Sequence, residues 1–220
     1  LDEAISFVVD INAADTESKL CLNGYSLTRA KSSNSNESLV IRTIDTMMNP
    51  NHKSTDLHIC DCKMGNTQYE KKGYLDKNNS WHSGNPSTEE QETATPWPLY
   101  GGAIIASEQA IRYSNKNLTI SGGNFVGCNN FYYSHFIELN DCTLTLEGGN
   151  FAGNYADRIL SCQDIKSLVI NDGVVFEKNY AYSHIVYASI NRSIGTQKGV
   201  EIKGGTFRNN LSNTSGIAIY

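Results

Sequence analysis

Four aspartates, Asp141, Asp157, Asp164 and Asp172, and two histidines, His135 and His184, are the residues of the C-terminal half best suited to acid–base chemistry. Glycosidic hydrolysis takes two carboxylates at a set separation. Asp172 stands in a turn-like Asp-Gly pair and Asp141 precedes an alternating string, so these acids read as solvated corner residues. The two histidines open equivalent strings with no carboxylate at a visible spacing, and read as exposed edge residues. No G-x-S-x-G nucleophile motif occurs. Cys60-Asp61-Cys62 lacks both C-x₂-C spacing and a second ligand pair, so no metal site is expected. The expectation is a chain with no catalytic residues and no cofactor, not an enzyme.

The aromatic residues suggest binding instead. Trp81, Trp97, Tyr100, Tyr132, Tyr133, Tyr155 and Tyr180 are candidate contacts for a protein or glycan, because Tyr and Trp combine stacking area with a polar tip. Tyr155 and Tyr180 occupy equivalent places and are expected to stack. The plainer alternative is that the tyrosines simply cover the surface. Sequons at Asn36, Asn78, Asn117, Asn191, Asn210 and Asn213 are possible N-glycosylation sites if the chain is secreted by a eukaryote.

These residues are carried by a repeat. LTISGGNFVGCNN, LTLEGGNFAGNYA, LVINDGVVFEKNYA and VEIKGGTFRNNLS begin at Leu118, Leu144, Leu168 and Val200. Their phenylalanines, Phe125, Phe151, Phe176 and Phe207, are spaced by 26, 25 and 31 residues. Each unit opens with an apolar-x-apolar string, the mark of a strand with one buried face. A glycine turn follows (Gly122-Gly123, Gly148-Gly149, Asp172-Gly173, Gly204-Gly205), where a positive φ is expected. Then come Phe and, three residues on, Asn154, Asn179 and Asn210; the first unit reads as carrying one extra residue, with Cys128 at this place and Asn129 next. Another strand-like string closes each unit, starting at His135, Arg158, His184 and Gly216.

Three short strands per unit, glycine corners and no helical periodicity predict an all-β chain. The expected fold is a single-stranded right-handed parallel β-helix, a solenoid of about 25-residue coils. The four Phe would form an internal ladder, and the Asn would bond backbone at a corner. Weaker copies (Leu20 and Leu22, Leu39 and Ile41, Leu57 and Ile59, Gly101–Ile105) extend the pattern forward, so residues 1–220 are expected to form one domain. Residues 1–19 are a candidate N-terminal cap, 63–99 a long loop insertion and 101–220 the regular coils.

Net charge −5 and the lack of a basic cluster argue against nucleic acid. No apolar run reaches transmembrane length. Six cysteines leave disulfide pairing open, with buried thiols the alternative. The chain starts at Leu1 without a signal-peptide pattern and stops at Tyr220 inside a strand-like string. It reads as a segment of a longer protein, flanked by further coils or a cap.

Gly101-Gly102-Ala103-Ile104, with Phe151–Asn154, Phe176–Asn179 and Phe207–Asn210, resembles the GGA[ILV] and FxxN motifs of polymorphic outer membrane protein repeats in bacterial autotransporter adhesins. Phe207–Tyr220 resembles a joined FxxN…GGAIY unit, with Ile217 replacing the second glycine. LCLNGYSL from Leu20 and LHICDC from Leu57 are also similar to strings in β-helix surface proteins of gut bacteria and some parasitic protists. The resemblance implies a cell-surface or secreted, adhesin-like β-helix that presents loops to an extracellular protein or glycan. The alternatives are a polysaccharide-degrading lyase or hydrolase on the same scaffold and a purely structural spacer.

Overall fold

The computed structural model describes residues 17–28, 39–42, 56–62, 68–75, 81–83, 95–100, 102–105, 109–114, 117–190 and 199–219. These residues form twenty strands and no helix. In chain order the first ten are β1 (Ser18–Cys21), β2 (Ser26–Thr28), β3 (Leu39–Arg42), β4 (Leu57–Cys60), β5 (Gln68–Leu75), β6 (Trp81–Ser83), β7 (Thr95–Tyr100), β8 (Ala103–Ile105), β9 (Gln109–Ser114) and β10 (Asn117–Ile120). The rest are β11 (Asn124–Val126), β12 (Asn129–Asn140), β13 (Thr143–Ala152), β14 (Tyr155–Ile165), β15 (Ser167–Glu177), β16 (Tyr180–Ile190), β17 (Gly199–Ile202), β18 (Thr206–Arg208), β19 (Leu211–Ser212) and β20 (Ser215–Ile219). No helix among the described residues is long and apolar enough to cross a membrane.

Equivalent strings of successive repeats lie side by side. One column runs through β1, β4, β10, the first halves of β13 and β15, and β17. A second runs through β2, β8, β11, the second halves of β13 and β15, and β18. Because β13 and β15 pass through both, the two columns form one ten-stranded sheet. The third column, β3, β9, β12, β14, β16 with β19 and β20, is a seven-stranded sheet. All these pairings are parallel.

The alternation of the strings decides which face is buried. In β10, Leu118 and Ile120 are fully buried while Thr119 is half-buried. Leu118 pairs with Leu144, and Leu144 with Leu168, so like sits on like along the column. Both sheets contribute to a single hydrophobic cluster, with Leu118, Leu144 and Phe151 from one and Phe136, Ile159 and Val186 from the other. Burial of this apolar surface is the main favourable term holding the sheets together.

Two glycines show different constraints. Gly149 has φ +113°, a region open to glycine and strained for other residues. At the next coil Gly173 pairs with Gly148, and Val174 stands opposite Gly149, because the register shifts between Leu146 and Gly148. The positive φ expected at Asp172-Gly173 is therefore absent. Gly173 is needed for space instead: a Cβ there would lie 2.6 Å from the carbonyl oxygen of Glu147. The extra residue expected in the first repeat is absent too. Asn129 pairs with Tyr155, so Cys128 stands where Asn154 stands one coil later.

Residues 63–99, expected as an aperiodic loop insertion, contain three strands in the order β6-β5-β7. These pair antiparallel and only with one another among the described residues. Residues 1–16 of the expected cap and the sequons at Asn36, Asn78 and Asn191 lie outside the described residues.

Candidate functional site

The repeat's Phe and Asn form two parallel stacks beside each other. The rings of Phe125 and Phe151 are 4.7 Å apart between centroids, those of Phe151 and Phe176 4.8 Å, and those of Phe176 and Phe207 5.0 Å, all nearly parallel. This spacing is the strand separation of a sheet, so register alone brings the rings into contact. The Asn column is a hydrogen-bond chain. Asn154 Nδ2 donates to the carbonyl of Phe125 and to Asn179 Oδ1. Asn179 Nδ2 donates to the carbonyl of Phe151 and to Asn210 Oδ1, and Asn210 Nδ2 to the carbonyl of Phe176. Each Oδ1 also accepts the backbone N–H of the residue one coil earlier: Cys128, Asn154 and Asn179 in turn. These residues build the scaffold. A sugar on Asn210 would compete with its bond to Phe176, whereas Asn117 and Asn213 are exposed.

The same register aligns side chains on the outer face of the seven-stranded sheet. Tyr155 and Tyr180 pair across β14 and β16 and stack at 5.0 Å, and Tyr180 Oη donates to Asn213 Oδ1 at 3.1 Å. Tyr182, on β16, is 50% exposed. Trp81 falls in β6, Trp97 and Tyr100 in β7, and Tyr132 and Tyr133 in β12.

Three residues beyond Tyr155 and four beyond Tyr180 lies a polar cluster that sequence spacing did not reveal. His135, Arg158 and His184 pair in register across β12, β14 and β16, and Glu138, Ser161 and Tyr187 do the same. His135 is not an exposed edge residue: its side chain is 16% exposed and lies between two carboxylates. Its Nδ1 is 3.9 Å from Glu138 Oε1, and its Nε2 is 3.5 Å from Asp157 Oδ2. Asp157, in turn, is not a solvated corner. It accepts the Ser183 hydroxyl and lies 3.9 Å from Arg158 Nε. Register shifts between Asn130 and His135 and between Ala156 and Arg158 interrupt the pleat here.

Arg158 ties the cluster to an aromatic surface. Its guanidinium carbon sits 3.8 Å above the centre of the Tyr187 ring, a cation–π contact, and Nη1 donates to buried Ser161 at 3.3 Å. His184 leans on the same tyrosine at 5.5 Å. Glu138 is also held by Arg112 at 3.1 Å. Burial holds the imidazole of His135 below the usual histidine range; the charges of Glu138 and Asp157 oppose this and that of Arg158 adds to it. His184 is lowered by burial and by Arg158, against Asp157. Two buried polar atoms, Arg158 Nε and His184 Nδ1, have no hydrogen-bond partner. Such atoms are rare in folded proteins.

The ten-stranded sheet carries a groove of about 540 Å³ lined by Glu17, Asp56, Asn117, Thr119, Thr145 and Lys166. Its carboxylate Asp56 is already held by the backbone and side-chain amides of Asn117. The lining offers no aromatic surface, so the tyrosine-bearing face is the stronger candidate.

Of the six cysteines, Cys21 and Cys62 form a disulfide, while Cys60, Cys128, Cys142 and Cys162 are buried and unbridged. The Sγ atoms of Cys21, Cys60 and Cys62 lie within 4.8 Å of one another. Comparison of the chain with protein-family models, curated proteins and solved structures gives no match.

Proposed function

We propose that the chain is a right-handed parallel β-helix segment of a cell-surface or secreted protein, and that it binds an extracellular protein or glycan without catalysis. The fold reading is supported by three parallel columns that share one core, and by ring stacks that repeat at strand separation. The binding reading rests on one observation. Stacked Tyr155 and Tyr180 share the β14–β16 face with the Tyr187–Arg158 pair, beside two buried nitrogens, Arg158 Nε and His184 Nδ1, that make no hydrogen bond. Flat aromatic area with polar tips suits a sugar ring or a protein side chain.

The charges on this face are largely neutralised among themselves, which fits recognition better than bond cleavage. A glycan and host-protein array probed with the purified chain tests the reading. Binding that falls at least tenfold in Tyr155→Ala/Tyr180→Ala and in Arg158→Gln, with the circular dichroism spectrum unchanged, supports it. Binding unaffected by both variants overturns the choice of face, and no binding at all favours the structural spacer.

One observation favours a second reading, a polysaccharide-degrading enzyme: Glu138 and Asp157 flank the same imidazole. Incubation with acidic and neutral polysaccharides decides it. Release of reducing or unsaturated ends, lost in Glu138→Gln and Asp157→Asn, replaces the non-catalytic proposal.

A further inference from the structure

Three sulfurs converge where β1 and β4 end. Cys21 closes β1 and pairs in register with Cys60, the last residue of β4; Cys62 follows two residues later. Cys21 and Cys62 are bridged, with Cα atoms 6.2 Å apart, and Cys60 keeps a thiol. Their environments differ: Cys62 is exposed, Cys21 half-buried and Cys60 buried. The turn between them is pinned by Asp61, a buried carboxylate that accepts the backbone N–H groups of Gly24 and Gly102. The three sulfurs are thus held together by strand register and by this carboxylate as well as by the bridge.

We propose that this trio is a thiol–disulfide exchange site that takes a small exogenous thiol at Cys62. Exchange proceeds by attack of a thiolate on one sulfur of a disulfide, and its rate depends on access to that sulfur and on the leaving group. Access selects Cys62, the exposed sulfur. The leaving group is then Cys21, whose Sγ accepts the backbone N–H of Cys62 at 3.2 Å. A donor at that distance stabilises the thiolate that forms.

In the first step the entering thiolate bonds to Cys62 Sγ, the Cys21–Cys62 bond breaks, and Cys21 departs as thiolate and takes a proton from water. In the second step Cys60, within 4.8 Å of the other two sulfurs, loses its proton and attacks Cys62 Sγ. A Cys60–Cys62 bond forms and the entering thiol leaves, carrying a proton. Each step exchanges one disulfide for another, so no oxidant or reductant is consumed. Cys60 is the resolving residue that shortens the life of the adduct.

Reduced glutathione tests this on the folded chain, with acid quench, N-ethylmaleimide alkylation and peptide mapping by mass spectrometry. The expected result is a glutathione adduct on Cys62 with Cys21 alkylated, under conditions where circular dichroism stays native. In Cys60→Ser and Cys60→Ala the adduct accumulates severalfold over wild type, because the resolving step is gone. An adduct on Cys21, or a native wild-type chain with neither an adduct on Cys62 nor a Cys60–Cys62 bridge, overturns the proposal without reference to any variant. Equal adduct levels in wild type and both Cys60 variants remove Cys60 from the scheme.

Discussion

Asn179 donates its side-chain amide to the carbonyl oxygen of Phe151, one coil earlier, at 2.8 Å. Its Oδ1 meanwhile accepts both the backbone N–H and the side-chain amide of Asn154. One side chain thus satisfies three groups of the preceding repeat at a position where it is almost fully buried. Replacing it with Ala leaves the Phe151 carbonyl and the Asn154 N–H unsatisfied. Each buried orphan costs about 1–3 kcal/mol, so a loss of roughly 2–6 kcal/mol is expected. Urea denaturation followed by circular dichroism measures it; a loss under about 1 kcal/mol would mean that water replaces the amide.

Phe151 is stacked on both sides, by Phe125 and by Phe176, and is buried. Truncation to Ala leaves a cavity walled by two rings, and about 3–5 kcal/mol is expected. Phe207→Ala is expected to cost less, because Phe207 is only partly buried and stacks on Phe176. Equal midpoints for the two variants would contradict the placement of Phe151 deeper in the core.

Stability is expected to fall on mild acidification. His135 and His184 both have folded pKa values below the unfolded value of about 6.5. The unfolded chain therefore binds more protons in the window between the two, so stability is full above about pH 6.5 and declines as pH drops through that value. Melting temperature between pH 7.5 and 5 checks the sign. His135→Gln should flatten the slope, whereas a melting temperature that rises on acidification would reverse the assignment.

Deleting residues 63–99 is expected to leave most of the parallel core intact. Strands β5, β6 and β7 pair only with one another among the described residues. A β-type spectrum and a cooperative melt within a few degrees of the full chain are expected. Loss of cooperativity would show that the small sheet supports the columns.

The ring column could be read from the sequence because equivalent residues of a repeat near 25 residues land on adjacent strands, and Phe repeats at that period. The polar cluster could not. His135 and Asp157 meet through a β12–β14 pairing that shifts between Asn130 and His135, and such a shift leaves no trace in composition or spacing. Asp172-Gly173 looked like another glycine corner, yet a register shift moved Val174 into that place. Strand β7 lies in the stretch expected as a loop and contains Pro96 and Pro98; as an outer strand of its sheet it can carry them without breaking a central ladder. The Cys21–Cys62 bridge joins residues far apart in the chain, and only the pairing of β1 with β4 brings them close.

Cys128 and Cys142 are sealed inside the repeat that opens at Leu118 and Cys162 inside the one that opens at Leu144, and burial pushes the Cys142 thiol up to about 12. A thiol that cannot ionise at neutral pH reacts with an alkylating reagent only after its surroundings part. Two neighbouring repeats therefore carry stopwatches of their own. The order in which the three sulfurs become labelled will tell whether the stack frays from one end, coil by coil, or comes apart all at once.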